Sequence, residues 1–370
     1  MVDIVLQTLA WLILVFTLIR LVVSLANFFS PLYMSGSRPA ETPLVSVLIP
    51  ARNEARNLPQ LLDALLDQAY ENFELIVYDD HSDDGTPEIL EEYHHKDSRI
   101  EWIRGVDLPE EWNGKNYACH QLAGKAKGEM LLFLDADVMV SRDLLQKAVS
   151  RQERDNLSLL SVFPHQIMKS KGEWLTVPLM NWILLGLLPM VLVRKSPRPS
   201  FAAANGQFMM FRAADYKKYQ WHKQVRTSLV EDIEISRMVK QKGLNTATLL
   251  GNGDVMCRMY SSFHEGIHGF AKNVTEFFGG SIYATLLFLL ATISGVVLVP
   301  YALGWSCFLV YLFSILLMRV VISAASRQSI GKNLLYHFPQ MIAFIIIVVK
   351  GIQVKKRGRY EWKGRYAVQS

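Results

Sequence analysis

From Ser281 to Met318 the chain runs 38 residues without a charged side chain. One helix of that length would measure about 57 Å at 1.5 Å per residue, nearly twice the hydrocarbon thickness of a bilayer. The run therefore predicts a transmembrane hairpin, residues 281–324, turning at Pro300 and Gly304 on the outer face. Arg319, Arg327 and Lys332 then draw the chain back to the cytoplasm. A second apolar block, Ile4 to Phe29, is long enough to span as a helix, with Gln7, Arg20 and Asn27 its interruptions. A cleaved signal peptide would begin with a positive segment, and this chain begins Met-Val-Asp. Residues 1–30 thus read as an N-terminal transmembrane anchor. Arg20, Arg38, Arg52 and Arg56 lie towards or beyond its C-terminal end and place the next part of the chain in the cytoplasm.

Composition narrows the class further. The chain is 51% hydrophobic and 20% charged, too apolar for disorder or for a simple soluble enzyme. Between Lys350 and Arg365, seven basic residues face one acid, Glu361, so this segment carries +6 of a total net charge of +5. A nucleic-acid binder would show its basic face on the folded domain. Here the charge sits in a tail, 351–370, beside apolar sequence, which points to a membrane surface and excludes nucleic acid as partner. Residues 334–350 are apolar but short, with His337 and Pro339 near their start. They read as a re-entrant or interfacial helix, or as a third C-terminal membrane helix, the first choice keeping the basic tail inside. Residues 174–193, with Pro178 and Pro189, read as an interfacial helix. Cys119, Cys257 and Cys307 are odd in number and far apart, so they read as ordinary thiols of a reducing compartment.

Residues 42–279 have the pattern of an α/β domain. Strand-like runs at 44–50, 73–79, 130–137 and 157–164 alternate with helical stretches at 55–68, 87–95, 117–127 and 141–154. That alternation implies a mostly parallel, Rossmann-like sheet, whose ligands bind beyond the carboxyl ends of the strands.

Acidic clusters fall there. In the run Val77 to Thr86, Asp79 and Asp80 close a hydrophobic strand. Turn chemistry accounts for Ser82 to Pro87 but not for two adjacent carboxylates, which a ligand's N–H or hydroxyl donors would justify. In Leu132 to Leu145, Asp135 and Asp137 flank a small Ala136. Alternate positions on an extended chain point the same way, so the pair can converge on a hard divalent cation, Mg²⁺ or Mn²⁺. Such an ion would neutralise a diphosphate leaving group. Glu231 and Asp232 open an amphipathic helix, either as helix-terminal acids or with Asp232 as the base that takes a proton from an acceptor. His264 and His268 flank Glu265 in the wrong register for a zinc-protease motif and read as packing residues.

The ordered set Pro50-Ala-Arg-Asn-Glu54, the acidic run 79–86, the Asp135-Ala-Asp137 triplet and the Glu231-Asp232 pair resembles the inverting family 2 glycosyltransferases of the GT-A fold, over roughly residues 44–275. The resemblance implies that Glu54 and Asp80 contact the nucleotide, Asp135 the donor sugar or ribose and Asp137 the metal, with Asp232 as base. Runs at 111–122, 257–273 and 360–366 are similar to glycosyltransferases that act on carotenoid acids and to those associated with hopanoid synthesis. Lys115 is then a donor-phosphate contact. The Q/R-x-x-R-W motif of processive relatives is absent. Arg258, Lys272 and the tail residues Trp362, Lys363 and Arg365 are candidates to replace it, and Arg365 suits a diphosphate.

The reading is a multi-pass membrane enzyme with a cytoplasmic GT-A domain. It would transfer one sugar from a UDP-sugar, with inversion, to a polyisoprenoid-type lipid such as a carotenoid acid. The rivals are a synthase of another glycolipid or short polysaccharide and an inactive UDP-binding scaffold. A transporter is disfavoured, because the 281–318 hairpin offers no charged residue to line a path.

Overall fold

The structure, a computed structural model, describes residues 2–35, 39–357, 359–362 and 365–368, with side chains only up to 356. Two compact units emerge: one of residues 33–167, 192–259 and 360–370, the other of residues 1–32, 168–191 and 260–359.

The first unit is the α/β unit. Its main strands are β1 (Val45–Ala51), β2 (Phe73–Asp79), β3 (Ile100–Arg104), β4 (Met130–Leu134), β6 (Leu159–Phe163), β8 (Phe208–Arg212) and β9 (Thr246–Leu250). They form one sheet in the order β3-β2-β1-β4-β8-β6-β9. Every pairing is parallel except those of β8, which runs antiparallel to both β4 and β6. Three short strands, β5 (Val138–Val140), β7 (His165–Gln166) and β10 (Val255–Cys257), make a second sheet in the order β5-β10-β7. Arg359–Trp362 and Arg365–Val368 pair as a separate two-stranded sheet, β11 and β12.

Strands buried on both faces read as continuous apolar runs, and alternation sorts their residues. Val47, Ile49, Leu75, Val77 and Leu132 pack with Leu58, Leu61 and Leu145 on one face. Leu48, Ile76 and Leu131 pack with Ala118 and Leu122 of helix Gly114–Lys125 on the other. The mostly parallel sheet matches expectation. The third expected strand, however, stops at Leu134, and Asp135-Ala136-Asp137 form a turn rather than an extended end.

The second unit is helical. Three helices among the described residues are long and apolar enough to cross a membrane: Val2–Phe28, Gly295–Ala325 and His337–Lys356. The middle one is not a straight rod, because Gly304 leaves the helical region at φ 80°, ψ 175°. The Tyr311 hydroxyl lies 3.4 Å from the Thr292 carbonyl. Residues that far apart on one continuous helix would be separated by about 28 Å. The chain therefore doubles back at Gly304, where only glycine tolerates the backbone, whereas Pro300 sits inside the helix and not in the turn.

Three boundaries differ from the sequence reading. The stretch expected as one interfacial helix, 174–193, is three short helices, Lys171–Thr176, Pro178–Leu187 and Met190–Lys195. Residues 178–186 are buried throughout, whereas an interfacial helix would leave one face to lipid. Residues 260–279 belong to the helical unit and not to the α/β unit, because helix Phe263–Asn273 buries Ile267, Phe270 and Ala271 among the apolar helices. The terminal helix runs on through Lys350 and Lys355 to Arg357, so the tail begins later than 351.

Candidate active site

One edge of the main sheet collects the site. At this edge β1 ends in Arg52-Asn53-Glu54, β2 in Asp79-Asp80 and β4 in Asp135-Ala136-Asp137. Because β8 is antiparallel, it begins here, and Gly206-Gln207 enter from the opposite chain direction. Leu134 pairs with Phe208, and the Asp135 N–H donates to the Gln207 carbonyl at 3.3 Å.

Lys115 ties the acids together. It stands in the first turn of helix Gly114–Lys125, where the capping Asn113 side chain accepts its backbone N–H at 3.1 Å. Its Nζ lies 2.8 Å from Asp135 Oδ1, 3.1 Å from Asp135 Oδ2 and 3.2 Å from Glu231 Oε1. Burial opposes the lysine's charge, but Asp135 and Glu231 outweigh it and hold Lys115 well above its ordinary value. The ammonium donates to Asp135 Oδ2 and pairs by charge with Asp135 Oδ1 and Glu231 Oε1. Lys115, the expected donor-phosphate contact, bridges two carboxylates here.

Asp232 is the second residue of helix Glu231–Gln241. The Gly206 N–H donates to its Oδ2 at 3.0 Å and the Ile233 N–H to its Oδ1 at 2.8 Å. A Cβ at position 206 would lie 3.0 Å from Glu231 Oε1 and 3.1 Å from Lys115 Nζ, so glycine is what lets the backbone come this close. Burial first, and the Glu231 charge second, push the Asp232 carboxyl up to about 7 in spite of both N–H bonds. Near neutral pH it exchanges a proton readily, as a general base requires.

Asp137 has no cation bonded to it among the described residues. Its Oδ1 accepts from Gln207 Nε2 at 3.3 Å, and Cys257 Sγ lies 3.8 Å from its Oδ2. Burial, then the charges of Asp135 and Glu54, raise it to about 6. No group of three His, Cys, Asp or Glu among the described residues could hold a metal by itself. The donor set still fits Mg²⁺ or Mn²⁺, which commonly take one or two carboxylates and complete their shell with substrate phosphates and water. Asp137 supplies one such carboxylate, beside Asp135.

Glu54 shares this field. Its Oε2 accepts from Asn57 Nδ2 at 2.7 Å, and its N–H donates to Thr86 Oγ1 at 2.9 Å. Asp80 sits at the neighbouring strand end beside Arg52, whose Nη1 donates to the Asp80 carbonyl at 2.6 Å and lies 3.9 Å from Asp80 Oδ2. Asp84 stands two residues before the next helix, Thr86–Lys96: despite burial, hydrogen bonds from Thr86 and Ala55 hold it below the usual carboxylate range. The His264 and His268 rings lie with centroids 4.4 Å apart, tilted by 52°.

Glu54, Lys115, Asp135, Asp137, Glu231 and Asp232 thus share one electrostatic field, and Asp80 adjoins it. Arg258 comes directly after Cys257 at the end of β10. Lys272 belongs to the helical unit instead. The side chains of Trp362, Lys363 and Arg365 lie outside the described residues. Gly206, Gln207 and Cys257 are site residues that the sequence reading missed. An Asn-Gly-Gln turn entering the apolar run Phe208–Phe211 was the available signal.

Residues 46–220 match the family model described as Glycosyl transferase family 2. The chain is 30% identical over 236 residues to the 4,4'-diaponeurosporenoate glycosyltransferase of Staphylococcus haemolyticus, which covers 63% of this chain. The match spans 61% of that relative's length. A protein of the same name from Staphylococcus aureus is 23% identical over 336 residues, 87% of each chain. Among solved structures, the fold resembles a mannosyltransferase from Pyrobaculum calidifontis in complex with GDP-Man and Mn²⁺. The TM-score is 0.59 at 16% identity, covering 95% of this chain and 99% of that one. The likeness gives the α/β unit a GT-A fold.

Proposed function

We propose, taking residues 46–220 as a family 2 glycosyltransferase domain, that the protein is a membrane-bound enzyme transferring one sugar from a UDP-sugar, glucose in our reading, to a polyisoprenoid-type lipid. The observation that carries this is the contrast within one site between Asp137, a half-buried acid with no bonded cation among the described residues, and Asp232, a half-buried acid held by the Gly206 and Ile233 N–H groups and raised to about 7. The first suits the electrophilic, diphosphate side of a displacement and the second the nucleophilic side. The relatives named for a carotenoid acid acceptor support a lipid acid as acceptor class. The apolar helices support a membrane location, with the basic end of His337–Arg357 kept at the cytoplasmic face.

In this mechanism Asp80 and Glu54 bind the nucleotide, and Arg52 holds the Asp80 loop in place. Lys115 positions Asp135 against the donor and tempers the Glu231 charge, which by itself would raise the proton affinity of Asp232 further. Asp232, oriented by the Gly206 and Ile233 N–H groups, takes the proton of an acceptor hydroxyl or protonated acid. With an ionised carboxylate as acceptor it orients the nucleophile instead. A divalent ion on Asp137 and Asp135 would neutralise the departing diphosphate. Direct displacement by a single nucleophile inverts the anomeric centre.

The test uses membranes containing the full chain, UDP-[¹⁴C]glucose and a long-chain polyene acid. Mass spectrometry should find the acid plus one hexose as a β-linked ester, formed only with added Mg²⁺ or Mn²⁺. Products with several hexoses would replace this reading by a synthase. UDP bound without turnover, at an affinity that Asp232→Asn leaves unchanged, would replace it by a scaffold.

A further inference from the structure

We propose that the helical unit holds a binding site for a long-chain lipid with an anionic oxygen headgroup, carboxylate or phosphate, with Arg20 and His337 at the headgroup and an apolar cavity for the chain. The site rests on reading these helices as membrane-embedded and is independent of the sugar-transfer step.

Arg20 and Arg319 are 4% and 2% exposed. Both guanidiniums lie over the Trp182 ring, at 4.3 and 4.8 Å, and Arg20 also lies 4.9 Å from the Phe288 ring. Aromatic faces attract a cation but do not saturate the directional N–H donors of a guanidinium. Arg319 Nε donates to His337 Nδ1 at 2.9 Å. Arg20 Nε and Nη2 and Arg319 Nη2 have no acceptor among the described residues. Neither guanidinium pairs with a carboxylate among those residues. Two buried like charges in one unit, braced by rings and lacking a counter-ion, are what a membrane protein keeps only where a ligand or a pathway needs them. The missing partner is an anion.

A cavity of about 330 Å³ opens beside them. Arg20, Trp182 and His337 line it together with apolar residues that include Ile293, Val297 and Ile342. By accepting at Nδ1, a neutral His337 carries its proton on Nε2 and adds a donor to those of Arg20. Val297 and Ile342 are 69% and 60% exposed, so the apolar wall is continuous with the surface that faces acyl chains. Arg20 stands eight residues before Phe28 and Arg319 six before Ala325, about 12 and 9 Å inside their helix ends. A free inorganic anion would have to shed its water to reach that depth. A lipid carries its charge there on its own apolar chain, and the planar guanidinium fork suits both carboxylate and phosphate.

The test is binding of cis-parinaric acid to the full chain in neutral detergent, read by energy transfer from tryptophan, without any sugar donor. The acid should bind at least tenfold more tightly than its methyl ester, and Arg20→Gln should abolish that preference. Val297→Trp, which narrows the cavity and leaves the charges in place, should weaken acid and ester alike. A monoalkyl phosphate that competes as well as the acid would generalise the headgroup. Equal binding of acid and ester, an unchanged preference in Arg20→Gln, or competition by inorganic phosphate alone at similar concentration would each overturn the site. Sugar transfer measured on the same preparations keeps the two readings apart, since loss of either need not affect the other.

Discussion

Lys115 in the α/β unit and the Arg20–Arg319 pair in the helical unit meet opposite surroundings. In the α/β unit, Lys115 is met by three carboxylate oxygens within 3.2 Å. In the helical unit, Arg20 and Arg319 meet rings, one histidine and no carboxylate among the described residues. The difference shows which charge each region is short of. Around Lys115 acids outnumber the cation, leaving Asp137 as the carboxylate that burial and its acidic neighbours raise to about 6. Around Arg20 there is positive charge and, among the described residues, no acid paired with it. On our two proposals, one region receives a cation with its diphosphate and the other receives an anion.

The largest expected effect comes from removing the Asp137 carboxylate. Asp137→Asn should lower kcat by about 10⁴-fold, the several kcal/mol that a metal supplies to a departing diphosphate. UDP release measured across a Mn²⁺ titration checks it, and unaltered metal dependence would break the charge assignment. Asp232→Asn should cost roughly 10²–10³-fold with a hydroxyl acceptor, within the range for general bases, and less with an ionised carboxylate. The Asp232 carboxyl is raised to about 7, so it is protonated and inactive below that pH and ionised above it. In the wild type, kcat/KM with a hydroxyl acceptor should therefore climb about tenfold per pH unit towards 7 and then level off, and Asp232→Asn should erase that limb. The same shift sets the direction for stability. Between the ordinary carboxylate range and 7 the folded chain holds a proton that the unfolded chain has lost, so raising the pH through this window costs stability.

The carboxylates were legible in the sequence because acids at the ends of apolar strands are expensive unless something uses them. The β2 strand, Phe73–Asp79, was readable at its C-terminal end for the same reason: the apolar run Leu75–Tyr78 stops at an acid. β8 was not. Phe-Met-Met-Phe-Arg suits a helix as well as a strand, and a helix begins at Ala213 without a linker. Missing β8 also concealed Gly206 and Gln207, since only an antiparallel strand starts at the edge where its parallel neighbours end. Gln207 and Cys257 lie 70 and 120 residues from Asp137, and a neutral amide or thiol gives no local sign that it faces an acid. The three short strands exist through tertiary pairing and left no periodicity to read. In the helical unit, the apolar lengths were visible, but the burial of 178–186 was not, because lipid-facing and protein-facing helices share one composition.

Smaller perturbations test the comparison by the sign of their effect on stability. Lys115→Met leaves Asp135 and Glu231 facing each other without a cation. It should destabilise the protein by about 2 kcal/mol, less than a fully buried pair would lose because these side chains are 22–24% and 12% exposed. Lys115→Met combined with Asp135→Asn should recover part of that loss. Arg20→Met makes the matching change in the other unit, and there the expectation reverses. The methionine keeps much of the apolar stem against Trp182 and Phe288 while deleting a buried charge that has no counter-ion among the described residues. Thermal unfolding in lipid-free neutral detergent should then shift by less than about 1 kcal/mol, in either direction. The stabilisation that a long-chain acid gives the wild type by mass action should disappear in this variant. A loss as large as that of Lys115→Met in lipid-free detergent would mean that the rings alone satisfy Arg20, and the contrast between the two units would fail.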